Sequence, residues 1–250
     1  MNIILMTFDE NIWEGDWMQG NNTNITIGIE GLVGAGKTSL CRELLDMIPN
    51  SIILHGGNLY RGIVVALINS GIDIKQKMSE SEHVDIKQVM DALKVKIKLE
   101  NRESVVYVND KKIDETDLQS DMASMAVSNV ALKADNTKLY DFARDLINNL
   151  KNEYNVIISG RDLMKIYPDL DYHFFITASL DERVKRKAKQ YKEGNIEQLK
   201  EHIEKRDELQ EMAGYYKRYS NTIDIDVTNC KSAKESAEKV FTCIKEKGNF

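Results

Sequence analysis

The sequence has few of the residues that mark a metal centre, a disulfide framework or a membrane anchor. Its three cysteines include no C-x-x-C pair, which argues against a zinc site and against a disulfide-stabilised fold. No apolar run is long enough to cross a bilayer. Residues 1–22 carry acidic side chains in place of the basic start and unbroken apolar core of an export signal. We therefore expect a cytoplasmic protein with no membrane partner.

An excess of positive charge is also missing. The chain has 34 Lys and Arg against 40 Asp and Glu, a formal net charge of -6. A nucleic-acid partner held by overall charge is therefore not expected, and any basic site must be local.

Proline is scarce, with only two in 250 residues. Short apolar runs alternate with stretches of helical periodicity, which is typical of a parallel sheet covered by helices, an α/β fold. A hairpin is predicted at residues 94–99, where apolar and polar residues alternate, and residues 104–108. Helices are predicted at 121–134 and 137–151. The predicted strands of the sheet are residues 25–30, 51–55, 155–159, 172–177 and 222–226.

The most specific motif is G-x-x-x-x-G-K-[ST], which residues 31–38 match at every fixed position. It follows an alternating apolar run, and leucines at helical spacing come after it, whereas a chance match would be a glycine turn before an ordinary helix. Glycines let backbone N–H groups face phosphates, Lys37 reaches the outer phosphates and the Thr38 hydroxyl can bind Mg²⁺. We predict an ATP site formed by Gly31, Val33, Gly34, Ala35, Gly36, Lys37, Thr38 and Ser39.

A second basic feature lies at residues 181–192, which hold six Lys and Arg in an otherwise acidic chain. This segment is either a solvated helix face or a mobile flap that closes cations over transferring phosphates. Phosphoryl transfer needs charge neutralisation and exclusion of water, so the upstream phosphate loop favours the flap.

Further short motifs follow the phosphate loop in order along the chain. They are Gly57-Asn58-Leu59-Tyr60-Arg61, Val127-Ser128-Asn129-Val130-Ala131, Gly160-Arg161-Asp162, Pro168-Asp169, Asp181-Glu182-Arg183 and Arg206-Asp207. Together they resemble the cytidylate kinases, members of the nucleoside monophosphate kinase group. The resemblance implies a three-layer P-loop NTPase fold with a central parallel sheet. It also implies an inserted monophosphate-binding subdomain with a β-hairpin at about residues 72–135, a helical lid at about 181–213, and an extension at 1–23 before the kinase domain of 24–250.

The resemblance also implies roles for individual residues in transfer from ATP to a nucleoside monophosphate, with CMP or dCMP first. The implied catalytic residues are Lys37, Arg161, Arg183 and Arg186. The implied acceptor-binding residues are His55, Arg61, Ser128, Arg161, Asp162 and Arg206. Thr38 is expected to bind Mg²⁺ together with Glu30, because Ser159 stands where the family has an acid before Gly-Arg-Asp.

The acceptor side departs from the family pattern. His55 and Gly56 stand where the family has Asp followed by Ser or Thr, and Thr137 stands where it has a base-reading arginine. Gln210 and Ala213 lie where further Asp and Arg residues are found. Three functions stay open: a CMP or dCMP kinase, a kinase for another nucleotide or a small alcohol, and a non-catalytic ATP-binding module. A lone histidine such as His55 is more often structural.

Overall fold

The computed structural model describes residues 24–58, 61–62, 94–113, 137–191 and 195–248. The predicted helix 121–134, Ser128 and the extension 1–23 lie outside these residues. The chain divides into two compact units. The larger comprises Ile25–Ile53 and Tyr154–Phe250, and the smaller includes Leu54–Glu153. The predicted boundaries of extension, insertion and lid stay predictions.

The helices and strands follow the predicted order closely. In chain order they are β1 (Thr26–Gly31), α1 (Lys37–Met47), β2 (Ser51–His55), β3 (Val95–Glu100), β4 (Glu103–Val108), β5 (Lys111–Lys112), α2 (Thr137–Lys151), β6 (Asn155–Ser159), α3 (Leu163–Ile166), β7 (Tyr172–Thr177), α4 (Leu180–Tyr191), α5 (Ile196–Met212), β8 (Thr222–Asp226) and α6 (Ala233–Glu246).

The strands that lie wholly within the larger unit have the order β6-β1-β7-β8. β1 pairs in parallel with β6 and β7, and β7 pairs in parallel with β8. All six residues of β1 are buried, as are five of the six in β7, which is typical of strands covered on both faces. The predicted α/β fold with a central parallel sheet is confirmed.

The core of the larger unit lies between this sheet and helices α1 and α6. Leu40 and Leu44 of α1 pack in one cluster with Val240 and Ile244 of α6 and with strand residues such as Phe174. The spacing of four residues within each helix places these side chains on one helix face. Ser232 caps α6 by accepting a hydrogen bond from the backbone N–H of Glu235 at 3.1 Å.

The smaller unit contains the predicted hairpin. β3 pairs antiparallel with β4 from Val95–Val108 to Glu100–Glu103, one residue from the predicted bounds. Asn101 and Arg102 form the turn with φ of 51° and 67°, the left-handed conformation that two-residue hairpin turns require. No helix in the described parts of the chain is long and apolar enough to span a membrane.

Candidate active site

The phosphate loop joins β1 to α1 and depends on glycine geometry. Gly31, Gly34 and Gly36 have φ of 142°, 77° and 94°, values that other residues rarely adopt. A side chain on Gly31 would place its Cβ 2.1 Å from the carbonyl oxygen of Ile176. Gly36 precedes α1 without any side-chain cap, so the first N–H groups of the helix are available to an anion.

Lys37 is the first residue of α1 and crosses back over the loop. Its Nζ donates hydrogen bonds to the carbonyl oxygens of Gly31 at 2.9 Å and Leu32 at 2.8 Å. Thr38 follows and is half-buried, whereas Ser39 is exposed. The loop is therefore wrapped around the ammonium group that the motif predicts to reach the phosphates.

Two arginines from distant parts of the chain lie near Lys37. Burial lowers the pKa of Lys37 well below its ordinary value, and the charges of Arg161 and Arg206 lower it further. Burial also lowers the pKa of Arg161, and Arg206 again contributes. Cations that repel one another in a partly buried site can be compensated by a polyanion, and guanidinium groups match phosphate oxygens in geometry. These residues fit a nucleotide phosphate chain.

The predicted flap residue Arg183 is buried against the loop. It donates to the carbonyl oxygens of Ala178 at 3.1 Å and Val33 at 3.0 Å, and to the carboxylate of Asp207. All these partners belong to the protein, so Arg183 stabilises the loop. Its catalytic role stays a prediction.

Arg186 makes similar contacts one helical turn further along α4. It donates to the carbonyl oxygens of Ala35 at 3.0 Å and Val227 at 2.8 Å, and to Glu182 Oε1 at 3.0 Å. In the described part of the basic segment these contacts do not fit a fully solvated helix face, and the flap that closes over phosphates stays a prediction. Two of its arginines hold the backbone of the phosphate loop.

Sequence reasoning named Asp207 only within a motif and missed Tyr216. Asp207 accepts hydrogen bonds from the N–H of Val33 at 3.2 Å, from Arg183 and from the hydroxyl of Tyr216. The Tyr216 ring packs edge-on against Phe175 with centroids 5.6 Å apart, and burial raises the pKa of Tyr216. The tyrosine-rich run after α5 was the available sequence signal for Tyr216, but this run does not identify Asp207 as the hydrogen-bond partner.

Arg161 and Asp162 lie in the turn between β6 and α3. Arg161 donates from Nε to Gln210 Oε1 at 2.7 Å and from Nη1 to the Gly160 carbonyl at 3.1 Å. Asp162 is buried, has φ of 57° and accepts from Lys165 Nζ at 3.0 Å. Gln210, noted from sequence only as a departure from the family, thus orients the predicted catalytic arginine.

Glu30 is buried immediately before the loop. One carboxylate oxygen accepts from the N–H of Leu163 at 2.8 Å, and the other lies 2.8 Å from His173 Nε2. Among the described residues, no three His, Cys, Asp or Glu side chains are grouped so as to hold a metal. Both carboxylate oxygens of Glu30 thus have partners within the protein, and the Mg²⁺ contacts of Glu30 and Thr38 stay predictions.

Two predicted acceptor-binding residues are described in the smaller unit. His55 Nε2 lies 2.7 Å from Glu103 Oε2, and its backbone N–H donates to Ser104 Oγ at 2.8 Å. Arg61 donates to Asn58 Oδ1 at 3.2 Å. The pairing of His55 agrees with the structural interpretation of a lone histidine. The acceptor roles of His55 and Arg61 stay predictions.

Comparison with known proteins places these residues in a family. The family model described as cytidylate kinase matches residues 27–246. The cytidylate kinase of Clostridioides difficile (strain 630) is 29% identical over 230 residues, covering 88% of this chain and 98% of that protein. That of Thermotoga sp. (strain RQ2) is 28% identical over 231 residues, with 89% and 98% covered. A solved structure from Thermus thermophilus covers 90% of this chain and 98% of that one, at 15% identity and a TM-score of 0.48.

Proposed function

Because this chain belongs to the cytidylate kinase family, and is therefore a kinase, we propose that it transfers the terminal phosphoryl group of ATP to a nucleoside monophosphate. CMP and dCMP are the first candidate acceptors. The supporting observation is a group of partly buried cations beside the glycine loop, where α1 begins without a side-chain cap. These cations are Lys37, Arg161 and Arg206. Such a group suits two phosphorylated ligands, because facing phosphates repel unless fixed cations lie between them.

The proposed roles on the donor side follow the geometry of the loop. The backbone from residue 34 to residue 38 holds the donor phosphates, and Lys37 extends toward the outer ones. Thr38 is the proposed contact of Mg²⁺, which when bound neutralises charge on the phosphate oxygens. Arg183 and Arg186 keep the loop in shape through the carbonyls of Val33 and Ala35.

The transfer step needs no general base. An oxygen of the acceptor phosphate is already an anion, and it forms a bond to the terminal phosphorus as the bond to the bridging oxygen breaks and ADP leaves. Positioning and electrostatic stabilisation therefore carry most of the rate enhancement. Arg161 is the proposed clamp on the acceptor phosphate. Its partner Gln210 is neutral, so the guanidinium charge remains available to the phosphate.

An Arg161→Ala variant tests this proposal. We expect kcat/KM to fall at least about 100-fold, the usual scale for loss of one transition-state donor. ADP formation is measured with ATP and a panel of CMP, dCMP, UMP, AMP, GMP and free nucleosides. Arg144→Ala is the control, because Arg144 forms an exposed pair with Asp141 on α2. This variant should retain full activity.

Three outcomes would contradict the proposal in different ways. An unchanged rate for Arg161→Ala would remove the arginine from the mechanism. Turnover of the unmodified protein only with a nucleoside or another small alcohol would change the acceptor class. ATP binding without ADP formation across the panel would favour a non-catalytic module.

A further inference from the structure

A chain of hydrogen bonds, buried at its centre, crosses three strands of the larger unit and ends at the turn that carries Arg161. Its centre is the pair of Glu30 on β1 and His173 on β7, whose side chains are 2% and 0% exposed. His173 is in register with Thr222 of β8, and its Nδ1 lies 2.9 Å from the Thr222 hydroxyl. Because these residues lie on paired strands, their hydrogen-bonded side chains cannot move independently.

Two groups in this network have only one possible hydrogen-bond role. The backbone N–H of Tyr219 donates to Thr222 Oγ1 at 2.8 Å, and because a hydroxyl oxygen can accept a second hydrogen bond, Thr222 can meet Nδ1 of His173 as donor or as acceptor. A carboxylate oxygen accepts, so Nε2 of His173 donates to Glu30 at 2.8 Å. The pair therefore needs a hydrogen-bond donor at position 173 and an acceptor at position 30.

The other carboxylate oxygen of Glu30 holds the catalytic turn. It accepts from the N–H of Leu163 at 2.8 Å, while the N–H of Gly160 donates to the carbonyl of Ile29 at 3.2 Å. Two bonds to consecutive residues of β1 therefore fix both ends of the turn. Asp162 between them has the left-handed φ of 57°, a conformation that Asp adopts more readily than most residues with a side chain.

The packing around the pair leaves little space for adjustment. A Cβ added to Gly28 would lie 2.6 Å from Leu170 Cδ1, 3.3 Å from Leu163 Cδ1 and 3.5 Å from His173 Cδ2. A change in the pair must therefore move either the sheet or the turn. The turn is the less constrained of the two, because the sheet is hydrogen-bonded on both sides.

We propose that Glu30 and His173 are positioning residues, which hold the peptide of Leu163 and thereby set Arg161 for the acceptor phosphate. This inference depends on the proposed function, because the phosphate is the ligand that Arg161 grips. It assigns to Glu30 a task in acceptor binding in place of Mg²⁺ binding.

Glu30→Gln tests the proposal with almost no change in side-chain shape. The backbone N–H of Leu163 requires the amide oxygen, so the amide N–H₂ faces His173. We expect the KM for CMP to rise about tenfold to 100-fold, the scale of a small misplacement, with the KM for ATP within about twofold. Unchanged KM values for both substrates would overturn the proposal.

Asp171→Asn is the matched carboxylate control. Asp171 Oδ2 accepts from the N–H and the hydroxyl of Thr26, both at 2.8 Å, at the opposite end of the same strand pair. The Asp171→Asn variant should lower the melting temperature and leave the KM for CMP unchanged. An equal rise in that KM for Asp171→Asn would show that any weakened strand pair has this effect, which would also overturn the proposal.

His173 variants test the pair independently if Glu30→Gln does not fold. Gln at position 173 retains an N–H donor toward Glu30, so His173→Gln should keep a KM for CMP close to that of the unmodified protein. His173→Leu removes the donor and should raise the KM for CMP. Equal KM values for the two variants would contradict a positioning role.

The imidazole itself provides a readout that does not depend on turnover. The ring ¹⁵N spectrum of His173, assigned by comparison with His173→Gln, should show a protonated Nε2. Glu30→Gln should leave the proton on Nδ1, because the amide N–H₂ needs an acceptor at Nε2, and an unprotonated Nε2 in the unmodified protein would overturn the arrangement. If the unmodified protein phosphorylates no monophosphate, the proposed function fails while this spectrum still tests the pair.

Discussion

Asp207 shows how a single carboxylate can connect three parts of the active site. It binds the N–H of Val33 in the phosphate loop, the guanidinium of Arg183 on α4 and the hydroxyl of Tyr216. The side chains of Asp207 and Arg183 are 18% and 8% exposed. When one partner of such a shielded pair is removed, the other charge remains buried and uncompensated.

Asp207→Asn should therefore destabilise the fold by about 3 kcal/mol, the lower end of the range for breaking a buried ion pair. The free energy of unfolding in urea measures this effect. Asp224→Asn is the control in the same unit, because Asp224 and Arg218 form an exposed pair. This variant should lower the free energy of unfolding by less than about 1 kcal/mol. Equal losses for the two variants would show that Asp207 acts only as a surface charge.

Arg183 and Arg186 illustrate why residue type alone does not define a role. Both lie in a basic segment that resembles a lid, and both bind carbonyl oxygens of the phosphate loop in this structure. An arginine can donate up to five hydrogen bonds. The sequence indicates that these donors exist, and only the packing of α4 shows which acceptors they meet.

At the scale of elements, the phosphate loop depends on the pairing of β1 with β7. The last residue of β1, Gly31, is in register with Ile176, and the next residue, Leu32, donates to the Ile176 carbonyl at 3.0 Å. The loop thus starts from a position where the two backbones leave no space for a side chain. The glycine is required by this contact as well as by its φ of 142°.

Gly31→Ala separates these two requirements when it is compared with Gly214→Ala. Gly214 also has a positive φ of 77°, but no atom lies within 4 Å of an added Cβ. Gly214→Ala should cost about 1 kcal/mol for the backbone conformation alone. Gly31→Ala should cost more than about 4 kcal/mol through the clash with Ile176. Thermal unfolding measures both, and similar melting temperatures would contradict the assigned clash.

At the scale of the whole molecule, the cations beside the loop are brought together by the larger unit alone. Its two segments, Ile25–Ile53 and Tyr154–Phe250, are separated in sequence by the smaller unit. Lys37 comes from the first segment, and Arg161 and Arg206 come from the second. Binding of an anion between them should therefore stabilise the tertiary structure of this unit.

Inorganic tripolyphosphate tests this linkage without any acceptor. At about 100 times its Kd it should raise the free energy of unfolding by about 2.7 kcal/mol, seen as an increased melting temperature. Lys37→Met should lose most of this increase, because the ammonium group is the centre of the site. The same increase in the variant would show that the anion binds elsewhere, and Lys111→Met on the exposed strand β5 is the control for a general charge effect.

The strands of the parallel sheet, the hairpin and the phosphate loop were predictable from the sequence. These features depend on residues that are close in the chain: alternation marks β1 and β3, apolar runs mark β4 and β7, and eight consecutive residues form the loop. The observed bounds of β2, β6, β7, β8 and α2 equal the predicted ones. Ordered motifs also predicted the family, which the match over residues 27–246 confirms.

Which polar side chains meet can be seen only in the folded chain. His173 reaches Glu30, Gln210 reaches Arg161 and Tyr216 reaches Asp207, although nothing in the local pattern joins these residues. The same holds for the contact of Glu30 with the N–H of Leu163, which no motif predicted. The expected Mg²⁺ contact of Glu30 stays a prediction. The physical reason is that hydrogen bonds act over about 3 Å, and the fold alone brings distant segments within that distance.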